Sequence, residues 1–237
     1  MLENEHALTV LVIGASRGIG AATATAFAAA GHHVFGTHRG TGVPGGVTPV
    51  MADITDEAAI KAAIKTIVNE RGRIDVVVVS AGIARQDLVV RLTAEKLHEV
   101  FSVNTFGAIL AAKHAFAAMN RNQSGSIVLV SSESARTGIP GSSHYTSSKA
   151  ALEGFMRSAM WEFGPRGVRI NVVAPGPTDT DMLARVQPAD LEKLIQATPQ
   201  GRVGRPEEIA EVILWTATST FLNGASIPVT GGEGLGY

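Results

Sequence analysis

Four consecutive valines follow Asp75 near the first third of the chain. A strand with one wet face alternates apolar and polar side chains, so an unbroken β-branched run indicates a strand buried on both faces. Such strands belong to parallel sheets whose two faces are covered by helices. The segment Asp75–Val79 therefore predicts a parallel α/β architecture.

Similar apolar runs recur along the chain and alternate with alanine-rich helical patterns that end at glycine. The predicted strands are Thr9–Ile13, His33–Thr37, Thr48–Met51, Asp75–Val79, Ser126–Val130, Val168–Ala174 and Ser226–Val229. The predicted helices are Ala21–Ala30, Glu57–Arg71, Glu95–Ala118, Tyr145–Phe163 and Pro206–Thr218. Alternation of this kind predicts a Rossmann-type doubly wound parallel sheet of about seven strands, with helices on both faces.

Composition narrows the possible partners. A net charge of −1 without a basic stripe argues against nucleic acid and against an anionic membrane surface. No apolar run approaches the ~20 residues that a membrane span needs, and the acidic N-terminus lacks a secretory pattern. The chain contains no cysteine, which excludes disulfides, thiolate metal ligands and cysteine nucleophiles. We expect a cytoplasmic protein without a metal site.

A glycine-rich turn, Gly14–Gly20, directly follows the first predicted strand and opens the first predicted helix. Glycines let the chain turn tightly and approach a phosphate, and the helix N-terminus offers free N–H groups to a pyrophosphate. The spacing is G-x-x-x-G-x-G rather than the common G-x-G-x-x-G, and a purely steric turn is the alternative. The strand before and the helix after favour dinucleotide binding.

The end of the second predicted strand bears on the choice between NAD and NADP. An acid about 20 residues beyond the turn would favour the free ribose 2′-hydroxyl. The segment Gly36–Arg39 holds no acid. Arg39 can pair with a 2′-phosphate, and Arg17 can lie on the same side, which predicts NADP(H). The alternative treats Arg39 and His38 as ordinary solvated surface.

A candidate acid–base pair opens the helix predicted from Tyr145. A spacing of four residues places Tyr145 and Lys149 on one helical face. A phenol has a reference pKa of about 10, and a nearby ammonium would lower that pKa toward a useful range. The spacing alone also fits a surface pair. The only other tyrosine is Tyr237, the last residue.

A serine cluster follows the strand that ends at Val130. In an open parallel sheet, ligands bind beyond the carboxyl ends of the strands, where Ser131 and Ser132 should lie. A hydroxyl there could donate to a substrate carbonyl oxygen. Turn capping is the preferred interpretation for Ser131 and Ser134.

These residues resemble the short-chain dehydrogenase/reductase family over essentially the whole chain, and most closely the bacterial 3-oxoacyl-[acyl-carrier-protein] reductases of fatty acid biosynthesis. The matching pieces are Gly14–Gly20, Asp53-Ile54, Ser80-Ala81-Gly82, Asn104, Ser132, Tyr145 with Lys149, Pro175-Gly176 and Gly231-Gly232. The resemblance implies one dinucleotide-binding catalytic domain over residues 1–237.

The resemblance also implies residue roles. Tyr145 donates the proton, Lys149 binds the nicotinamide ribose and lowers the tyrosine pKa, Ser132 polarises the carbonyl, and Asn104 holds a water in a relay to Lys149. The expected cofactor contacts are Gly14, Ser16, Arg17, Gly18, Ile19, Gly20, His38, Arg39, Asp53, Ile54, Ala81, Gly82, Tyr145, Lys149, Pro175, Gly176 and Thr178.

Three departures from the family pattern stand out. Ser80 replaces the common asparagine after the fourth strand, and Thr230 replaces the common aspartate before the last glycine pair. Carrier-protein reductases use basic residues near the active-site mouth to dock an acidic carrier. Arg166 fits one such place, whereas the second is Gln123, with Arg121 nearby.

The sequence therefore predicts NADPH-dependent reduction of a carbonyl, expected to be a 3-oxoacyl thioester of acyl carrier protein or CoA. An NAD(P)-dependent dehydrogenase of secondary or cyclic alcohols is the second hypothesis, and a non-catalytic nucleotide sensor is the third. The stretch Thr178–Arg205 is expected to be a mobile helical lid, which shapes the substrate pocket with Ile83–Leu92. The resemblance implies a homotetramer built on Glu95–Ala118, Tyr145–Phe163 and the C-terminal strand.

Overall fold

The computed structural model describes residues 7–234, apart from the side chains of Arg185 and Ala189. Seven strands form one all-parallel sheet in the order β3-β2-β1-β4-β5-β6-β7. The strands are β1 (Thr9–Ile13), β2 (His33–His38), β3 (Thr48–Met51), β4 (Val76–Val79), β5 (Gly125–Val130), β6 (Val168–Pro175) and β7 (Ser226–Val229). The predicted Rossmann-type fold is confirmed.

Helices connect the strands and cover both faces of the sheet. They are α1 (Gly18–Ala29), α2 (Glu57–Arg71), α3 (Ala94–Phe101), α4 (Ala108–Met119), α5 (Ser134–Thr137), α6 (Ser143–Phe163), α7 (Pro188–Ala197) and α8 (Pro206–Thr218). Local chemistry sets their ends: Asp56 caps the start of α2 by accepting a hydrogen bond from Ala59 N, and Gly72 ends that helix in the left-handed conformation.

The valine run behaves as its sequence predicts, because successive residues of β4 enter opposite halves of the core. Val77 and Val79 belong to the half covered by α2, α4 and α6. Val76 and Val78 belong to the half covered by α1 and α8. All four valines are at most 2% exposed. The sheet is thus an apolar platform buried on both faces.

One long helical stretch differs from its prediction. The segment predicted as a single helix over Glu95–Ala118 is α3, a π-helical turn over Ser102–Gly107, and α4. By length and composition the stretch Ala94–Met119 could cross a membrane, but its buried residues pack on the sheet as in an ordinary core helix. Asn104 lies inside the π-helical turn, a feature that often marks functional positions.

The order of the strands fixes where a ligand can bind. The chain runs from β1 outward to β3 on one side and then crosses to β4 on the other. The two halves therefore leave a crevice between the carboxyl ends of β1 and β4, which is the usual ligand site of such sheets. The glycine-rich turn follows β1, and Ser80-Ala81-Gly82 follows β4.

Candidate active site

The glycine-rich turn leaves no room for side chains where it meets the segment after β4. Gly14 has φ of +87°, and a methyl group on it would lie 2.7 Å from Ala81 N. A methyl group on Gly20 would lie 2.0 Å from Gly14 O. Thr37 steadies the turn from β2 by accepting a hydrogen bond from Gly14 N at 2.9 Å. Only glycine permits this close approach of backbone to backbone.

The N-terminus of α1 suits the pyrophosphate of a dinucleotide. Among residues 7–234, no side chain caps this helix, and its first turn contains no acid. Ser16 and Ile19 flank its start, where Gly18 is the first helical residue. The unpaired N–H groups and the helix dipole therefore remain available to an anion. Arg17 extends from the turn into solvent and pairs with Asp181 at 3.5 Å.

The residues expected to bind the adenosine half of the cofactor lie at the ends of β2 and β3. Arg39 is exposed and lies 3.5 Å from a carboxylate oxygen of Asp53. The pKa of Asp53 is lowered chiefly by the hydrogen bond from the Thr55 backbone N–H. Arg39 lowers it further, whereas partial burial acts in the opposite direction. His38 Nδ1 accepts hydrogen bonds from the backbone N–H groups of Gly40 and Gly42. The Ile54 side chain is buried in the core.

Tyr145 and Ser132 come together at the carboxyl edge of the sheet. Tyr145 lies in the first turn of α6, Ser132 follows β5, and the Ser132 hydroxyl is near enough to the phenol to act on its pKa. Burial raises the pKa of the Tyr145 phenol, and the Ser132 hydrogen bond only partly opposes it. The predicted lowering of this pKa by Lys149 is therefore not found in the chain alone. The phenol is held protonated, as a proton donor must be.

Lys149 lies one turn further along α6, 4% exposed. Its ammonium donates a hydrogen bond to Val130 O at 2.8 Å, at the end of β5. Burial lowers the pKa of this ammonium from 10.5 to about 8. Gly82 passes close by, since a methyl group on it would lie 3.2 Å from Lys149 Nζ. The ammonium thus lies at the crevice between the two halves of the sheet.

Asn104 fastens the loop after β4 to the catalytic helix. Its side-chain amide accepts from Ile83 N at 2.8 Å and donates to Ile83 O at 2.9 Å and Ser148 Oγ at 3.0 Å. Ser148 Oγ in turn donates to Tyr145 O at 2.7 Å. The sequence prediction missed Ser148, although its place three residues after Tyr145 is the available signal. The π-helical turn therefore positions the helix that carries the phenol.

Residues predicted to close over the nicotinamide follow β6. Pro175 O accepts from Glu133 N at 2.9 Å, and Gly176 N donates to Val229 O at 3.0 Å. Thr178 Oγ1 donates to Gly176 O at 3.0 Å, and Thr178 forms a backbone bridge with Gly204. Hydrogen bonds therefore connect the carboxyl ends of β5, β6 and β7 at one edge of the sheet.

The basic residues considered for carrier docking lie elsewhere. Arg166 precedes β6, and Arg121 and Gln123 precede β5. In a parallel sheet the starts of strands form the edge opposite to Tyr145. The eight residues of β6 span roughly 25 Å. The expectation that Arg166 stands at the active-site mouth is therefore wrong within one chain.

The structure brings a phenol, a serine hydroxyl and a buried ammonium to the carboxyl edge of the sheet, and comparison with known proteins agrees. The family model described as "Enoyl-(Acyl carrier protein) reductase" matches residues 14–233. The chain belongs to the short-chain dehydrogenase/reductase family and is an oxidoreductase. Members of this family use a nicotinamide cofactor.

Relatives with assigned names make the resemblance more specific. The chain is 38% identical over 231 residues to the 3-oxoacyl-[acyl-carrier-protein] reductase MabA of Mycobacterium tuberculosis, covering 97% of this chain and 94% of the relative. It is 36% identical over 235 residues to the FabG reductase of Thermotoga maritima, with 94% and 96% covered. It is 38% identical over 228 residues to carbonyl reductase family member 4 of Xenopus laevis, with 93% and 95% covered.

Proposed function

We propose that this chain reduces the 3-oxo group of an acyl thioester to a secondary alcohol, with NADPH as reductant. The observation that carries the proposal is the Tyr145 phenol beside the Ser132 hydroxyl, one helical turn from the buried Lys149 ammonium, at the carboxyl edge of β5. Two hydroxyls that converge there suit a single carbonyl oxygen. The names of MabA and FabG support a 3-oxoacyl group on an acyl carrier protein as the substrate, and a CoA thioester would present the same reacting group.

The residues present fit a nicotinamide dinucleotide. The backbone of Gly14–Gly20 and the uncapped start of α1 would hold the pyrophosphate. Asp53, Ile54 and Ala81 would flank the adenosine half, and Gly82, Pro175 and Thr178 the nicotinamide half. The exposed guanidinium of Arg39, at the end of β2, favours the 2′-phosphate of NADPH, and we expect Arg17 to assist it. The bound cofactor supplies a hydride.

Side chains of this protein bind and protonate the carbonyl oxygen of the substrate. Ser132 and Tyr145 each donate a hydrogen bond to the carbonyl oxygen, which polarises the carbon for attack. As negative charge develops on that oxygen, the Tyr145 phenol transfers its proton to it. The buried ammonium of Lys149 then stabilises the phenolate, because an opposite charge on the same helical face favours ionisation. Asn104 holds α6 in place, and its water in a relay to Lys149 remains a prediction.

The surroundings complete the proposal. The stretch Thr178–Arg205 contains α7, and we expect it to form a lid over the acyl chain. Exposed apolar side chains on the outer helix faces support the predicted homotetramer; these are Leu97, Phe106 and Trp161, the last 75% exposed. We expect the enzyme to work in the cytoplasm, with acyl carrier protein as a partner.

Tyr145→Phe tests the chemistry. Because a positioned acid contributes about 10²–10⁴-fold, turnover should fall by that factor while NADPH affinity measured by fluorescence stays within about twofold of wild type. The assay should pair NADPH and NADH with acetoacetyl and crotonyl thioesters and with secondary alcohols. Near-wild-type turnover in Tyr145→Phe, or reduction of the crotonyl double bond only, would exclude the proposal.

The assembly has its own test. Multi-angle light scattering should give the mass of four chains for the wild type. Trp161→Glu should give smaller species, since a charge within an apolar interface opposes association. A monomeric wild-type chain would refute the predicted tetramer but would leave the catalytic proposal unaffected.

A further inference from the structure

The loop between β4 and α3, residues Ile83–Leu92, is bonded at two places to elements that surround the catalytic residues. At its start, Ile83 N–H and C=O bond to the Asn104 side chain at 2.8 and 2.9 Å. In its middle, Asp87 N donates to Gly141 O at 2.7 Å, just before α6 begins. The candidate catalytic phenol lies in the first turn of that helix. The position of the loop is therefore linked to the start of α6.

Lys96 of α3 bonds to two places in the second half of this loop. Its ammonium forms a hydrogen-bonded ion pair with the Asp87 carboxylate and donates a further hydrogen bond to Arg91 O at 3.1 Å. The hydrogen bond from Lys96 lowers the pKa of Asp87, which keeps that carboxylate charged at neutral pH. One side chain of α3 therefore joins both ends of the stretch 87–91.

Few bonds hold the segment Asp87–Leu92 to the rest of the protein. Within residues 7–234, the hydrogen bonds that leave this segment are the one from Asp87 N to Gly141 O and the two from the Lys96 ammonium. Inside the segment, Val89–Arg91 form a single 3-10 turn. A surface segment with few bonds to its surroundings opens locally at little cost in free energy. We therefore expect its conformation to depend on Lys96.

Three consecutive apolar side chains on this segment are exposed to solvent. Leu88, Val89 and Val90 are 54%, 69% and 88% exposed. Single exposed apolar residues are common on protein surfaces, whereas adjacent ones mark binding surfaces. The loop starts beside the Lys149 ammonium, because a methyl group on Gly82 would lie 3.2 Å from Lys149 Nζ, and it returns to the start of α6. The exposed segment therefore borders the catalytic edge of the sheet.

We propose that Lys96 is a positioning residue for substrate binding, and that the segment it holds forms one side of the site for the acyl chain. The inference rests on the proposed 3-oxoacyl reductase function, which supplies an apolar chain attached to the reacting carbonyl. Contact between such a chain and Leu88, Val89 and Val90 removes apolar surface of both partners from water. Lys96 acts through the segment and not by touching substrate or cofactor.

A positioning role of this kind separates substrate binding from chemistry. The side-chain bonds of Lys96 end on Asp87 and on Arg91 O, and the backbone bond from Asp87 to Gly141 does not require Lys96. Loss of the ammonium should therefore raise KM and change kcat little, and the rise should grow with the length of the acyl chain. A residue that only stabilised the fold would instead lower kcat by the same factor for every substrate.

Hydrogen exchange of the full chain tests the role of Lys96 without any substrate. K96M removes both ammonium bonds but keeps an apolar stem, so peptides that cover residues 87–92 should exchange about three- to tenfold faster than in wild type. K96R keeps a cationic donor and should stay closer to wild type than K96M. K65M, at an exposed lysine of α2, is the matched control and should exchange like wild type. Unchanged exchange of these peptides in K96M would overturn the proposal.

Steady-state kinetics with acetoacetyl and long-chain 3-oxoacyl thioesters supplies the second readout. K96M should raise KM for the long-chain substrate about three- to tenfold, with kcat and NADPH affinity within about twofold of wild type. V90S should act in the same direction, and the K96M/V90S double variant should show less than the combined effect. An unchanged KM, or equal changes for short and long chains, would overturn the positioning role. If the wild type reduces no 3-oxoacyl thioester, the acyl-chain site is refuted together with the proposed function, whereas hydrogen exchange still decides whether Lys96 holds the loop.

Discussion

Replacing Lys149 with methionine should stabilise the fold while abolishing turnover. The buried ammonium makes one hydrogen bond, to Val130 O at 2.8 Å, and its pKa falls from 10.5 to about 8. At about 1.4 kcal/mol per pKa unit, keeping this charge buried at neutral pH costs about 3 kcal/mol. Losing the hydrogen bond to the Val130 carbonyl lowers the stability by about 1 kcal/mol. The net gain of about 2 kcal/mol should raise Tm by about 4–8 °C.

The pH dependence separates this cause from better packing. A lysine whose pKa is lowered by folding destabilises the chain fully below its folded pKa, and the penalty disappears as pH rises toward the unfolded value. The advantage of Lys149→Met should therefore be largest at about pH 7 and small at about pH 10. Calorimetry at both pH values measures this difference in stability. Lys61→Met, on the exposed side of α2, is the control. A destabilised variant at neutral pH, or a gain unchanged by pH, would refute the reasoning.

Two further substitutions probe the cofactor crevice. Gly20→Ala should abolish dinucleotide binding and lower Tm, because the new methyl group would lie 2.0 Å from Gly14 O. The control is Gly45→Ala, whose methyl group would have no atom within 4 Å and which should leave binding unchanged. Equal binding in the two variants would contradict a role of the Gly14–Gly20 turn in holding the dinucleotide. Arg39→Asp should reverse the preference from NADPH to NADH in kcat/KM, because a carboxylate repels a 2′-phosphate and accepts from a ribose hydroxyl; an unchanged preference would remove Arg39 from that role.

The fold could be predicted because its signals are local. The valine run of β4 fills both halves of the core, and the other predicted strands agree with the structure within one or two residues. Helix α1 begins at Gly18 rather than at the predicted Ala21, because glycine has low helix propensity and hides the first turn from sequence patterns. The π-helical turn at Asn104 has no periodic signal of its own.

The energetics of the site could not be predicted, because they depend on contacts between distant residues. The spacing of Tyr145 and Lys149 predicted a lowered phenol pKa, but burial raises that pKa and the ammonium is bonded to Val130 O. Arg166 was placed at the mouth by resemblance, and only the strand direction shows that it lies at the opposite edge.

Among the residues that the structure describes, the buried polar atoms without a hydrogen-bond partner are unevenly distributed. Most of these atoms belong to Glu133, Ser143, His144, Thr146 and Glu153 (Oε1), on the segment from the end of β5 through the first half of α6; the others belong to Ser126, Thr216 and Ser226. The strands β1 and β4, by contrast, are wholly buried and almost wholly apolar. Because burying an unpaired polar group is unfavourable, the destabilising interactions are concentrated around the element that carries Tyr145 and Lys149, and the apolar sheet offsets them. Substitutions that relieve them should therefore stabilise the chain chiefly where they impair catalysis.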